Sequence, residues 1–267
     1  FNGHSPHTKY LFAVPRDLKQ RIGESLTRRL ASTLSFSEAP DVYRDEHDLL
    51  VGDVKLFLQF VRKRDVMLTA EGCMYKRQLA QLLQTLQVQE EPVGKEAWRF
   101  GYGSRFRDYP NRFSLIYDYC YYSQYIAEDG DRLRLTEQGE EASVGARETH
   151  PADVYHFWIR LYKGAVPNIQ TLVHWVNRRA ERWVTVESLC RTLCPFIKPY
   201  YYDSPESILE RRILNMMLHL GLIRIGRHES AGAVVQMTEL GKGVIGGTYV
   251  DERETIDLTQ DSVSGTP

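Results

Sequence analysis

The sequence predicts a mostly helical α+β fold, and three observations lead to this prediction. Apolar residues recur at helical spacing through most of the chain, and short β-like runs separate the helical stretches. One order of elements occurs twice along the chain. A phrase made of an apolar residue, Thr, two further residues and Gly occurs three times, at Leu68–Gly72, Leu135–Gly139 and Met237–Gly241.

The repeated order is helix, β-segment, helix, helix and two-stranded hairpin, which is typical of a winged helix-turn-helix module. We therefore expect tandem winged helix-turn-helix modules behind a small N-terminal cap. In the cap, Tyr10–Val14 predicts a strand, and Pro15 suits the first turn of the helix that follows. The predicted boundaries are 1–52 for the cap, 53–150 and 151–247 for the two modules, and 248–267 for an acidic tail.

Local signals predict the individual elements. Asp53 is expected to cap the opening helix of the first module. In the second module, Ser204 and Pro205 suit the cap and first position of a long helix that ends at Gly221. The other predicted helices are 74–86, 111–126, 137–144, 153–162, 168–179, 186–193 and 238–245, and the predicted strands are 132–135, 222–225 and 233–237.

The repeated phrase has a physical explanation. Thr is expected to cap the next helix by accepting a bond from a free backbone N–H, and Gly lets the first turn lie against the sheet without a Cβ clash. The copies that begin at Leu135 and Met237 follow strand-like runs, as this explanation requires. The copy at Leu68 follows a helix, so we interpret it as a helix start inside the first module and not as a third wing.

The charge of the chain is nearly balanced, at −1. A dedicated non-specific DNA-binding protein is usually strongly basic, so this balance argues against one. The charge is nevertheless uneven, because residues 55–112 and 160–198 are basic and the tail is acidic, a pattern that is compatible with a local nucleic-acid footprint. No apolar run is long enough for a membrane span. We expect a cytoplasmic bacterial protein, with the nucleoid as an alternative location.

Four cysteines in a chain of 267 residues do not make a disulfide framework, and we expect reduced thiols. Cys190 and Cys194 lie one helical turn apart and look like half of a metal site. No His or Cys pair at ligand spacing completes that site, so zinc is rejected, and no metal or cofactor is expected.

The sequence contains no recognised motif for chemistry. It has neither a P-loop nor a Gly-x-Ser-x-Gly nucleophile elbow. The acidic run Asp45–Asp48 follows no predicted buried strand, so we interpret it as a solvated loop and not as an ATPase acidic box. The protein is therefore expected not to be an enzyme and to have no catalytic residues.

The long helix of the second module and the wing after it carry the first set of candidate nucleic-acid-binding residues. Three polar residues at i, i+4 and i+8 share one face of the helix: Arg211, Asn215 and His219. Arg and Asn read guanine and adenine edges, and Arg224 and Arg227 on the wing are placed to meet phosphates. The alternative is an ordinary solvated face, which Glu206 and Glu210 favour because they would repel phosphate.

The first module carries the second set of candidates. Three arginines alternate with aromatic residues before and at the start of its third helix: Arg105, Arg107 and Arg112. Basic residues between aromatic ones suit a nucleic-acid strand, through charge and stacking. Lys76 and Arg77 open the preceding helix and are candidates for a phosphate clamp. The alternative is an aromatic core beside a solvated arginine loop.

Leu68–Leu79 (LTAEGCMYKRQL) resembles the helicase-associated domain named for the amino-terminal region of XPB-type helicases. That domain also occurs in uncharacterised bacterial proteins. Their typical pattern is Leu-Thr, two residues, Gly and then Lys-Arg-x-Leu. Val14–Leu18 is similar to its start, so the resemblance covers roughly residues 10–145. It implies an accessory role in DNA repair or transcription beside a helicase motor, whose ATPase motifs this sequence lacks.

Together these observations predict a non-enzymatic DNA-binding or helicase-associated accessory protein. The expected partners are double-stranded DNA and a helicase or transcription protein. The alternative is a protein-interaction scaffold, in which winged helices form a homodimer or dock a partner. In the tail, Ile256–Thr259 alternates apolar and acidic residues, a pattern that suits strand addition to a partner's sheet.

Overall fold

The computed structural model places two small antiparallel sheets among helices, so the predicted α+β class is confirmed. The strand predicted at Tyr10–Val14 lies outside the described residues. Asp17 and Leu18, in the helix predicted after it, are helical. The structure describes residues 32–94 and 101–251, and in addition Pro15, Asp17, Leu18, Arg21, Ile22, Glu24, Ser25, Glu254 and Ile256.

The first unit is built on a three-stranded sheet. A short strand precedes the unit, β1 (Tyr43–Arg44). The elements of the unit are α1 (Leu49–Lys63), β2 (Val66–Met67), α2 (Lys76–Leu83), α3 (Asn111–Tyr122), β3 (Ile126–Asp129), β4 (Arg132–Leu135) and α4 (Glu137–Val144). The strand order is β2–β4–β3, so the returning strand of the β3–β4 hairpin lies in the middle. Val66 of β2 lies opposite Leu133 of β4.

The second unit repeats this arrangement. Its elements are α5 (Pro151–Tyr162), α6 (Ile169–Arg179), β5 (Val184–Thr185), α7 (Val186–Leu193), a 3₁₀ turn (Cys194–Phe196), the helical stretch α8 from Pro205 to His219, β6 (Ile223–His228), β7 (Gly232–Met237) and α9 (Glu239–Gly247). The strand order is β1–β6–β7–β5, so the returning strand of the β6–β7 hairpin again pairs with the strand that precedes the hairpin in the chain. The middle of α8, Ile208–Leu214, is a π-helix.

The segment before α1 reaches both edges of the second sheet. At one edge, Tyr43 of β1 lies opposite Gly226 of β6. At the other edge, the Thr185 N–H donates to the Ser35 carbonyl at 3.0 Å, and Phe36 forms a bridge with Val184. This part of the predicted cap therefore adds to the sheet of the second unit.

Helix α5 joins the two units. It packs against both α3 and α9. Its Trp158 is fully buried, and the ring of Phe157 lies 5.6 Å from that of Tyr119 on α3. Residues 112–120 of α3 are consequently all buried. The third helix of the first unit is an internal helix.

The Thr-x-x-Gly explanation is confirmed in two copies. The Gly139 N–H donates to Thr136 Oγ1 at 3.1 Å, and the Gly241 N–H donates to Thr238 Oγ1 at 2.9 Å. A Cβ on Gly139 would lie 1.9 Å from the carbonyl oxygen of Tyr125, so this glycine permits the close approach of helix and chain.

The interpretation of the first copy as a helix start is wrong. Thr69 and Gly72 form a tight turn, in which the Gly72 N–H donates to the Thr69 carbonyl at 2.9 Å and Gly72 has a φ of +74°. Helix α2 begins only at Lys76. Here the glycine is required by its left-handed backbone and not by a helix cap.

Several predicted bounds change, each for a local reason. The helix predicted to Ile126 ends at Tyr122, because Gln124 adopts a left-handed φ of 57° and turns the chain into β3. Asp53 caps no helix, because α1 begins earlier, at Leu49, and encloses it. The predictions for Arg132–Leu135, for 137–144 and for 186–193 are confirmed. None of the described helices has the length and apolar character needed to cross a membrane.

The close approach of Gly241, in the phrase Met237–Gly241, to the Leu222 carbonyl predicts an effect on stability. Gly241→Ala should destabilise the protein by about 1–3 kcal/mol or more, because its Cβ would lie 2.1 Å from the Leu222 carbonyl oxygen. Gly243→Ala, in the same helix, is the control: its Cβ would meet nothing within 4 Å, and alanine should be neutral or stabilising there. Urea denaturation measures both variants. Equal stability of the two would contradict the account.

Candidate nucleic-acid interface

Helix α8 is positioned by signals at both of its ends. At the start, Ser204 Oγ accepts from the Ser207 N–H at 3.3 Å, and Pro205 takes the first helical position, as predicted. At the end, Gly221 has a φ of +69°, and the Leu222 N–H donates to the Met217 carbonyl at 2.8 Å, which closes the last turn. The predicted helix end near Gly221 is confirmed.

One face of α8 is exposed. It presents Arg211 and Asn215, together with Glu206 and Glu210. The prediction that His219 shares this exposed face is wrong. Its side chain is only 14 % exposed, and its Nδ1 lies 3.0 Å from Glu46 Oε2. His219 therefore anchors the end of α8 to the loop before α1 and is withdrawn from a ligand that lies along the helix.

The β6–β7 hairpin carries the two predicted wing arginines, and they differ. Arg224 Nε donates to Asp45 Oδ2 at 2.7 Å, and this hydrogen bond raises the pKa of the guanidinium. The Arg224 guanidinium also lies 5.6 Å from the ring of Tyr43. Arg227 is exposed near the hairpin turn. Arg227 is thus open to a phosphate, whereas Arg224 already has a carboxylate partner.

The prediction that Arg112 contacts a nucleic acid is wrong. Its side chain has no exposed surface, so it cannot touch a nucleic acid. Its Nη1 lies 2.5 Å from Asp53 Oδ2, and its Nε lies 3.2 Å from Glu46 Oε2. With His219 on the same carboxylate, these side chains form one buried cluster, the Arg112 cluster, defined as Glu46, Asp53, Arg112 and His219.

Both carboxylates of the Arg112 cluster also have partners outside it. Asp53 also accepts from the Gln87 N–H at 2.7 Å, and Arg44 Nη2 lies 2.6 Å from Glu46 Oε1. Burial raises the pKa of Glu46, but the hydrogen bond and charge of His219 and the charges of Arg112 and Arg44 outweigh it, so the pKa is lowered. Glu46 is therefore an ionised group inside the protein.

The prediction of a solvated loop at Asp45–Asp48 is wrong for Glu46. Its side chain is 2 % exposed. Asp45 is half-buried and holds Arg224. Two residues of this run therefore tie the loop to Arg112 and to the wing, and they do so at long sequence separation, where spacing gives no signal.

Arg105 and Arg107 of the first unit also differ in exposure. Arg105 Nη2 donates to both carboxylate oxygens of Glu128, at 2.6 and 2.7 Å, and Nη1 donates to the Glu71 carbonyl. Burial lowers the pKa of Arg105, and its contacts with Glu128 raise it by more. This arginine ties the loop to β3. Arg107 is exposed, with its guanidinium 5.6 Å from the Phe106 ring.

Lys76 and Arg77 are both exposed at the start of α2, where a phosphate could reach them. The aromatic residues that were paired with the arginines mostly face inward: Tyr109, Phe113 and Tyr117 are buried and lie in mutual ring contact. The alternative of an aromatic core thus describes this region better than a stacking surface does.

Comparison of the chain with models of protein families, with curated proteins and with solved structures finds no match in any of the three. The resemblance at Leu68–Leu79 therefore stays a prediction.

The Arg112 cluster generates a prediction for stability. Arg112→Met should cost about 3–5 kcal/mol, because it leaves Asp53 buried without its cation and removes one of the cations beside Glu46. The control is Arg134→Met, which removes an exposed pair with Asp129 and should cost about 0–1 kcal/mol. Urea denaturation of both variants at neutral pH tests the difference, and similar costs would refute the role of the cluster.

The cluster also predicts a pH dependence. Because the pKa of Glu46 is lowered on folding, its stabilising contribution is present above the ordinary value of 4.5 and is lost as the pH falls through the folded-state pKa below it. Glu46→Gln should remove this acid-dependent loss and lower stability at neutral pH. The free energy of unfolding of wild type and variant, measured against pH, tests this expectation. Parallel curves would contradict the role of Glu46 in the loss of stability in acid.

Proposed function

We propose that the chain is a non-enzymatic protein of two tandem winged-helix modules and that the second module binds double-stranded DNA through α8 and the β6–β7 hairpin. The observation that carries this proposal is the joint exposure of Arg211 and Asn215 on α8 and of Arg227 on the hairpin that follows.

The element order supports the winged-helix assignment. Each unit has a helix, a short strand, two further helices and a hairpin, and in each sheet the returning hairpin strand pairs with the short strand. In helix-turn-helix proteins, the second helix of the motif lies in the major groove. The corresponding helix of the second unit is α8, and its inner face is held by buried Ile208, Ile213 and Met217.

The first unit supports the proposal in a different way. Its corresponding helix, α3, is internal, so this unit does not insert that helix into a groove. Its Arg112 lies within ion-pair distance of Glu46, in the loop before α1, and the same carboxylate lies against His219 at the end of α8. Lys76, Arg77 and Arg107 are its exposed cations among the predicted contacts, and they suit non-specific phosphate contacts. We propose an accessory role beside a helicase motor on the resemblance at Leu68–Leu79 alone.

The test is the binding of a labelled duplex, measured by fluorescence anisotropy at several salt concentrations. Arg211→Ala should weaken binding by about 1–3 kcal/mol, because a base contact is lost. Arg227→Ala should weaken binding to all sequences alike and lower the salt slope by about 1, because a phosphate contact is lost.

Arg62→Ala is the matched control, since Arg62 is exposed, is paired with Glu140, and belongs to α1 and not to α8 or the β6–β7 hairpin. It should leave binding unchanged. The proposal fails if the wild-type protein binds no duplex at low salt, or if the Arg211 and Arg227 variants bind as tightly as the control.

A second candidate function, protein docking, is favoured by exposed rings just before α8. Tyr201 and Tyr202 are 78 % and 76 % exposed, and Phe196 is 50 % exposed. Exposed aromatic side chains are enriched at protein interfaces. Glu206 and Glu210, beside Arg211, also suit a protein partner better than a phosphate backbone.

On this second candidate, the wild-type protein should self-associate, and Tyr201→Ser/Tyr202→Ser should shift it to monomer in sedimentation velocity. Tyr249→Ser is the control, because Tyr249 is equally exposed, at 71 %, but lies after α9. A wild-type monomer at all concentrations tested, or equal association of the two variants, would count against a homodimer built on these rings.

A further inference from the structure

The end of α7 and the start of α8 bring two thiols and a carboxylate together. Cys190 Sγ and Cys194 Sγ lie 2.7 Å apart, one helical turn from each other. A carboxylate oxygen of Glu206 joins them, and the three ligand atoms all lie within 4.8 Å of one another. The sequence left this cysteine pair without partners, and the fold supplies the third ligand from a different helix.

We propose that Cys190, Cys194 and Glu206 form a binding site for a thiophilic divalent cation of the zinc type. Two thiolates and one carboxylate are ligands that Zn²⁺ accepts in tetrahedral sites, and thiolates select zinc-like ions over Mg²⁺ and Ca²⁺. Three protein ligands leave the fourth position to water. The cation would tie the end of α7 to the first turn of α8.

The exposure of the ligands suits a site that opens to solvent. Cys194 is buried, Cys190 is half-buried and Glu206 is exposed. A cation can therefore enter from the solvent side, at Glu206, and bind the sulfurs on the inner side. Zn–S bonds of about 2.3 Å in a tetrahedron hold two sulfurs about 3.8 Å apart. Loading the site therefore requires the sulfurs to separate by about 1 Å.

Cysteine binds a zinc-type cation as the thiolate, so metal binding is coupled to loss of the thiol protons. On binding, Zn²⁺ displaces one proton from each cysteine, so two protons are released to solvent.

The test uses the full chain, reduced and freed of metal, with Co²⁺ as a spectroscopic probe and Zn²⁺ as competitor. One equivalent of Co²⁺ should produce a thiolate-to-cobalt charge-transfer band, and Zn²⁺ should abolish it with release of Co²⁺. Cys190→Ser and Cys194→Ser should each remove the band. Glu206→Gln should weaken Co²⁺ binding about tenfold or more.

Two controls isolate the site. Glu187→Gln changes an exposed carboxylate in the first turn of α7 that lies outside the cluster, and it should bind Co²⁺ like the wild type. Cys73→Ser removes a thiol of the first unit and should also leave the band intact. Circular dichroism establishes that each variant is folded, and because Glu206 is exposed, its variant should keep the fold.

Three results would overturn the proposal: no stoichiometric Co²⁺ band in the reduced wild type, a band that persists in both cysteine variants, or unchanged affinity in Glu206→Gln. Formation of a Cys190–Cys194 disulfide under mild oxidant, seen as a mass lower by two hydrogens, together with no metal binding by the reduced protein, would assign the pair to redox chemistry instead. The assay contains no nucleic acid, so its outcome is independent of the proposed DNA binding.

Discussion

The structure depends on the burial of one guanidinium, that of Arg112. A cation without solvent contact is tolerated only where carboxylates surround it, and Asp53 and Glu46 do so at 2.5 and 3.2 Å. These acids come from α1 and from the loop before it, and Glu46 also receives His219 from the end of α8. A shift of α1 or α3 would leave Asp53 without its buried cation. The contact of His219 with Glu46 adds a polar link from this network to the second unit, beside the apolar packing.

The burial of Arg112 makes α3 differ from α8, although the two helices have the same place in the repeated order of elements. Helix α3 carries Arg112 into the interior and is covered by the aromatic face of α5, so it serves the core. Helix α8 lies at the same place in its own unit but keeps an exposed face with Arg211 and Asn215. Under the proposed function, the helix that enters a groove is therefore that of the second unit. The proposed metal site lies at the start of that same helix, at Glu206, and the Arg112 cluster lies at its other end.

The candidate residues show that a sequence pattern does not predict which side chains are buried. Arg105, Arg107 and Arg112 look equivalent as arginines among aromatic residues, yet one pairs with Glu128, one is exposed and one is buried. Spacing within a helix predicts which residues share a face, but it does not say whether another element covers that face. His219 shares a predicted face with Arg211 and is withdrawn, because a carboxylate from far along the chain reaches it.

The sequence by itself determined the features that depend on neighbours within a few residues: the caps at Thr136 and Thr238, the start of α8 at Pro205, and the repeated order of helices and strands. These follow from backbone groups that must be satisfied locally. Only the tertiary structure decided which charges are buried, because Arg112 and Asp53 lie 59 residues apart and His219 and Glu46 lie 173 apart. Partners at such separations are chosen by the packing of whole helices, which no local pattern records.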